Sequence, residues 1–156
     1  MSRELLEKEY FNMTEDEKRF YQRDLTKKAN YSLNQTAKES GVKNFDKFHN
    51  YGYKGLYNGE TANDIAKRKK LRYREDILDN MGSEELAANW FRITQTESKL
   101  KKDNIESELN ANITHYKVGT EVRNTIIKLG GTMPEDLPTP SKSLKELEKE
   151  KISKNF

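Results

Sequence analysis

The chain has 156 residues, a formal net charge of only +3 and no cysteine. That length suits one domain. The near balance of charge excludes a general polyanion binder, so any basic surface has to be local, and the missing thiols exclude disulfides, thiol catalysis and thiolate metal sites. Leu, Ile, Val and Phe make up about 20% of the residues against 35% charged. Such a thin core fits long, solvated helices and leaves room for stabilisation by a partner or by a homodimer. With no secretory leader and no apolar run near the ~18 residues that span a bilayer, the expectation is a soluble cytoplasmic protein without membrane contact.

Thr14-Glu15-Asp16-Glu17 reads as a capping box, in which the Thr14 hydroxyl and the Glu17 carboxylate satisfy each other's free backbone donors at a helix start. Tyr21, Leu25, Ala29, Leu33 and Ala37 then recur every four residues up to Gly41, predicting one long helix with an apolar stripe. Phe45 to Gly59 is aromatic and glycine-rich with no sustained period, and is expected to be a packed loop with room for one helical turn at Phe45 to Asn50. Thr61 caps a short helix that runs through Ile65 into a basic block, and Ile77, Leu78 and Met81 suggest another that ends at Gly82.

Ser83, with Glu84 and Glu85 behind it, starts the clearest helix, whose stripe is Leu86, Trp90, Ile93 and Leu100, with Glu97 on the same line. The next helix, about 104–129, changes face: Ile105, Leu109, Ile113 and Tyr116 form one stripe, and Val118, Val122, Ile126 and Leu129 another, switching at Gly119. Gly130-Gly131 ends it, and Pro134, Pro138 and Pro140 favour an extended linker. Ser143 caps a last helix with Leu144, Leu147 and Ile152 on one side. The expected fold is all-α: five or six helices, an aromatic Gly-rich loop, a helical domain over 1–131, and a Pro-rich linker with a C-terminal helical arm over 132–156.

The strongest chemical signal is Lys67-Arg68-Lys69-Lys70-Leu71-Arg72-Tyr73-Arg74. Cations this dense displace counterions from a phosphate backbone and give salt-sensitive DNA binding with little sequence preference, and Tyr73 could stack on an exposed base. The competing reading is a solvated helix end neutralised by Glu75, Asp76 and Asp79. Tyr51, Tyr53 and Tyr57 belong either to the core or, in part, to a partner-binding surface. Phe91, turned about 100° from Trp90, faces a second layer or a dimer partner. His49 and His115 lack a second ligand at helical spacing and read as structural or surface histidines. No nucleophile motif, no phosphate-cradling Gly-x-x-x-x-Gly-Lys loop and no paired acids suggest an enzyme, so a non-enzymatic protein with no metal and no cofactor is expected.

Three strings are distinctive as wording. They are Asn50-Tyr51-Gly52-Tyr53-Lys54-Gly55-Leu56-Tyr57-Asn58-Gly59, Gly82-Ser83-Glu84-Glu85-Leu86-Ala87-Ala88-Asn89, and the run Leu129 to Pro140 with Thr114-His115-Tyr116-Lys117-Val118-Gly119 before it. Together they resemble the C-terminal half of the bacterial DNA-damage-inducible protein D family. Typical members of that family carry, upstream, a DNA-binding domain of the kind found in viral BRO proteins and phage antirepressors. Met1 is expected to begin past that domain, so its DNA recognition is not carried over. The resemblance implies a place in the SOS response and modulation of RecA nucleoprotein filaments. Short stand-alone relatives look like proteins of prophages and phage satellites, mobile genetic elements, some of which redirect DNA packaging by binding the small terminase subunit. The expectation that follows is an adaptor joining a phage DNA-handling subunit, the small terminase, to DNA, with a RecA-filament modulator as the alternative.

Overall fold

A computed structural model describes residues 9–154, with side chains described as far as Lys151. Every regular element among them is helical, as the periodicity predicts. Helix α1 (Glu15–Glu39) opens on the expected capping box: the Glu17 backbone donates to the Thr14 hydroxyl and the Thr14 backbone to the Glu17 carboxylate, each at 3.2 Å. The predicted stripe holds only at its C-terminal end. Leu33 and Ala37 are buried, but Tyr21 is exposed and Arg19 and Thr26 turn inward. Arg19 can be enclosed because its guanidinium donates to the carbonyls of Met81, Asp79 and Lys142, each at 3.0 Å. Those bonds satisfy a group whose burial would otherwise be costly.

Helix α2 (Phe45–Leu56) corrects the expected aromatic Gly-rich loop. Asn44 caps it, accepting from the Lys47 backbone at 3.0 Å. Its glycines each cost about 1 kcal/mol relative to alanine in a helix, and they mask the apolar period. Their use is tertiary: Gly52 and Gly55 lie against Gly119 of α5 (Glu108–Lys128), so the two backbones touch. A Cβ at Gly52 would sit 2.1 Å from His115 Nε2, one at Gly55 2.4 Å from Tyr116 O, and one at Gly119 2.7 Å from Gly52 O.

Helix α3 (Ala62–Arg68), capped reciprocally by Thr61 and Asp64, takes up only the first two cations of the basic block. The helix expected near Ile77 is a single 3-10 turn, Ile77–Asn80. In α4 (Ser83–Lys102) the N-cap is Gly82, and the Ser83 hydroxyl bonds instead to the Glu15 carboxylate of α1. Leu86, Ile93 and Leu100 are buried as expected, while Trp90 is only partly so.

Of the first stripe expected on α5, Ile105 precedes the helix and packs against the core from its edge, but Leu109, Ile113 and Tyr116 are exposed, and Ala111, Asn112, Thr114 and His115 point inward. Contact with the glycines of α2 demands small or planar side chains on that line, so the bulky aliphatic ones are displaced to the surface. The second stripe holds at Val118 and Val122, which are buried. Ile126 is packed against the core from its edge, and Leu129 is exposed.

Helix α1 packs on α4 and α2 on α5, whereas α4 and α5 meet along less of their length. Two apolar clusters result, one around Leu56, Ile65, Met81, Leu86 and Val122, the other around Leu33, Phe48, Ile93 and Leu100. Between them lies a polar belt of Asn89, Arg92 and His115. The Pro-rich segment packs back on this body: Pro134 is buried in a 3-10 turn (Pro134–Asp136), and Glu135 receives both Arg123 terminal nitrogens at 2.8 Å. Helix α6 (Leu144–Lys154) is capped by Ser143, buries Leu144 and is tied to α1 by Arg23–Glu148 at 2.9 Å. The Ile152 side chain lies outside the described residues. Among the described residues no helix is long and apolar enough to cross a membrane.

Candidate nucleic-acid interface

The basic block divides by burial. Lys67 projects from the last turn of α3, and Lys70, Arg72, Tyr73 and Arg74 form an exposed loop in which Tyr73 is 88% accessible. The loop is turned by two non-glycine residues in the left-handed region, Lys70 (φ 58°) and Arg74 (φ 67°). Its shape is fixed further by the Arg72 backbone donating to Glu75 at 2.7 Å. The Arg74 guanidinium lies 5.2 Å from the Tyr73 ring centroid, so the only aromatic ring of the loop is flanked by charge. Behind the loop opens a groove of about 640 Å³, with His49 and Tyr53 among its lining residues, and with Lys67, Arg72 and Arg74 alongside Asp46, Glu75 and Asp76.

Two of the candidate DNA contacts are committed elsewhere. Arg68 donates to Glu60 at 2.9 and 3.2 Å and stacks toward Tyr57, so its charge is engaged within the molecule. Lys69 is removed from the candidate set altogether. Its side chain is fully enclosed, and its ammonium donates to Glu85 Oε1 at 2.8 Å, the Asn80 carbonyl at 3.2 Å and the Thr139 hydroxyl at 3.3 Å. A helix end would have spread the cations evenly; the break after Arg68 instead sends one inward and the others out.

From Lys69 a buried hydrogen-bonded chain runs through the molecule. Glu85 Oε2 accepts from the Tyr57 hydroxyl at 2.5 Å, and that hydroxyl accepts from Asn89 at 2.9 Å. Asn89 Oδ1 accepts from Arg92 at 3.0 Å, Arg92 donates to His115 Nε2 at 2.6 Å, and His115 Nδ1 donates to the Phe48 carbonyl at 2.9 Å. An arginine always donates, so His115 carries its proton on Nδ1 and is neutral. Burial, then the charge of Arg92, holds its pKa well below the usual range. The same two causes lower His49 to about 4. Burial raises Glu85 against the opposing pull of Lys69, and burial beside Glu85 raises Tyr57 well above its ordinary value.

Of the two readings of Tyr53 and Tyr57, core or partner contact, the structure removes the partner one: both are core residues, at 7% and 1% exposure. Tyr51 is half-buried beneath the Lys54 ammonium, 5.6 Å from its ring centroid, and Phe91 is exposed. Glu97 sits where its stripe reaches solvent, accepting from Ser32 at 2.6 Å and Thr36 at 2.9 Å, with Lys101 at 3.4 Å. Sequence reasoning missed Glu85, Asn89, Arg92 and Thr96. Their own spacing of four, three and four residues beside the apolar stripe was the available signal.

The strap that reaches Lys69 through Thr139 and Arg123 through Glu135 is part of the wording on which the family resemblance rests. The sequence profile of the DinD C-terminal domain matches residues 13–147, nearly the whole described chain. The chain belongs to the DinD C-terminal domain family. It is 51% identical over 149 residues to the DNA damage-inducible protein D of Escherichia coli strain K12, covering 93% of this chain and 54% of that protein. This DinD domain thus spans about half the length of the curated relative it matches. No solved structure matches it.

Proposed function

We propose that this DinD domain is a non-enzymatic binding module of the DNA-damage response that contacts DNA through Lys67, Lys70, Arg72 and Arg74 and modulates RecA nucleoprotein filaments. The observation that carries this reading is the 51% identity, across 93% of the chain, to a protein named for its induction by DNA damage. The exposed loop supports it physically. Four cations and one accessible ring make a surface suited to a phosphate backbone and an unstacked base. The small terminase, expected from the phage-satellite resemblance, gains no support from a relative named for DNA damage. It is one outcome of the test.

The test presents the protein to RecA preassembled on single-stranded DNA, to free DNA and to a phage small terminase. Binding to the RecA filament with a changed filament lifetime is expected. Capture of the small terminase without any effect on RecA overturns the RecA reading, and DNA cleavage in the presence of divalent metal overturns the non-enzymatic one.

A further inference from the structure

We infer that the furrow between α4 and α5 is a docking groove for an acidic amphipathic helix of a partner protein. The furrow exists because α4 turns its main contacts to α1 and α5 to α2, leaving about 410 Å³ open where the two helices part. Phe91, at 46% exposure, lines it together with Val118 and Val122, which are reached from α5. Phe91, Gln95, Ser98 and Lys102 follow at helical spacing along one side, and Val118, Val122 and Thr125 along the other, so one apolar centre, the exposed Phe91 over the edges of Val118 and Val122, is continued along the furrow by polar side chains.

The rim supplies the selectivity. Lys99, Lys102 and Lys117 stand on it against a single acid, Glu121. Lysines in the last turn of α4 alone would be explained by the negative end of the helix dipole, but Lys117 lies in the middle of α5. Among the described residues neither Lys102 nor Lys117 pairs with a carboxylate, while Lys99 is engaged by Asp103 at 2.7 Å. Recognition of a helix in a groove uses apolar anchors one and two turns apart, and the flanking charges then decide which helix is accepted. Cations on both walls retain a helix with glutamates beside its apolar line and repel one with lysines there. A second copy of this chain is the poorer occupant, because its own C-terminal helix α6 carries four lysines against three glutamates. None of the groove residues belongs to the cationic loop, so the inference is independent of DNA contact.

The test titrates a fluorescein-labelled synthetic helical peptide, with Leu and Phe along one face and Glu on both flanks, into the full chain and follows anisotropy and amide chemical shifts. Two analogues carry Gln or Lys in place of every Glu. The acidic peptide is expected to bind about fivefold tighter than the Gln analogue, the size two exposed ion pairs supply. The preference should shrink with salt, with amide shifts centred on Gln95, Val118 and Val122. Lys102→Glu with Lys117→Glu should reverse the order of the peptides, and Phe91→Ala should weaken all three. The three side chains are exposed, and unchanged thermal melting verifies that the variants fold. Equal binding of the three peptides, shifts centred on 67–74, no saturable binding, or self-association through this face without peptide would each overturn the inference.

Discussion

Arg92 donates to His115 Nε2 at 2.6 Å inside the core, and among the described residues no carboxylate pairs with that guanidinium. The contact requires a neutral imidazole, since protonation would set two cations against each other in a dry site. His49 lies in the same neighbourhood, its ring centroid 6.0 Å from that of His115.

Stability should therefore fall with acid in a defined window. Both histidines have folded pKa values below the unfolded value of roughly 6.5. The stabilisation is then fully present above that pH and is lost as pH falls, because the unfolded chain takes up the protons first. For His49, with a folded pKa of about 4, the loss amounts to about 3 kcal/mol by pH 4. Urea melts between pH 7 and 5 should show a steep fall in midpoint, and His49→Gln should flatten it. A pH-independent midpoint across that range would contradict the neutral-histidine arrangement.

Backbone contact between α2 and α5 predicts that glycines at the seam refuse a side chain that a glycine elsewhere accepts. Gly52→Ala places a methyl 2.1 Å from the His115 ring, and Gly119→Ala one 2.7 Å from the Gly52 carbonyl. Each should cost more than about 3 kcal/mol, because a packed helix pair cannot separate without losing its core contacts. Gly82→Ser is the control: at φ −72° and ψ 169° this N-cap suits serine, and its nearest neighbour is 4.0 Å away. It should gain a few tenths of a kcal/mol. Thermal melts of the three variants check the order.

Lys69 and Glu85 form a fully enclosed ion pair, and breaking it from one side leaves a charge without a counterion. Lys69→Met alone should cost about 3–5 kcal/mol, whereas adding Glu85→Gln should recover much of that loss. A double-mutant cycle by chemical denaturation measures the coupling. Additive costs would mean that Asn80 and Thr139, not Glu85, carry the lysine.

How much of this was legible beforehand follows from what each signal depends on. The caps at Thr14 and Thr61 are local, set by one side chain and the next turn, and the sequence shows them directly. Helix α2 was hidden because Gly52 and Gly55 depress helix propensity for a reason that lies on α5, some 60 residues away in sequence. The outward turn of Leu109, Ile113 and Tyr116 has the same origin. The cationic block could be seen, but not that Lys69 leaves it, since its carboxylate partner sits on another helix. For Tyr53 and Tyr57 the sequence leaves core and partner surface both open, because hydropathy cannot distinguish a hydroxyl facing water from one that, like that of Tyr57, faces a buried Glu85.

The exposed loop offers a prediction in which fold and binding move in opposite directions. Lys70 follows the C-cap of α3 at φ 58°, a position where glycine is the usual residue because a Cβ there crowds the backbone. Lys70→Gly should raise stability by about 1 kcal/mol while removing one phosphate contact. With single-stranded DNA, the slope of log affinity against log salt should then become shallower by about 0.7. Arg72→Ala and Arg74→Ala should do the same to the slope, and Tyr73→Ala should weaken single-stranded DNA selectively, by about 1 kcal/mol or more per stacked base. Lys69→Met with Glu85→Gln should leave the slope unchanged, because that ammonium never meets solvent. Anisotropy titrations at several salt concentrations separate these outcomes. A slope that responds to the Lys69 pair but not to Lys70, Arg72 and Arg74 would place the DNA elsewhere on the molecule.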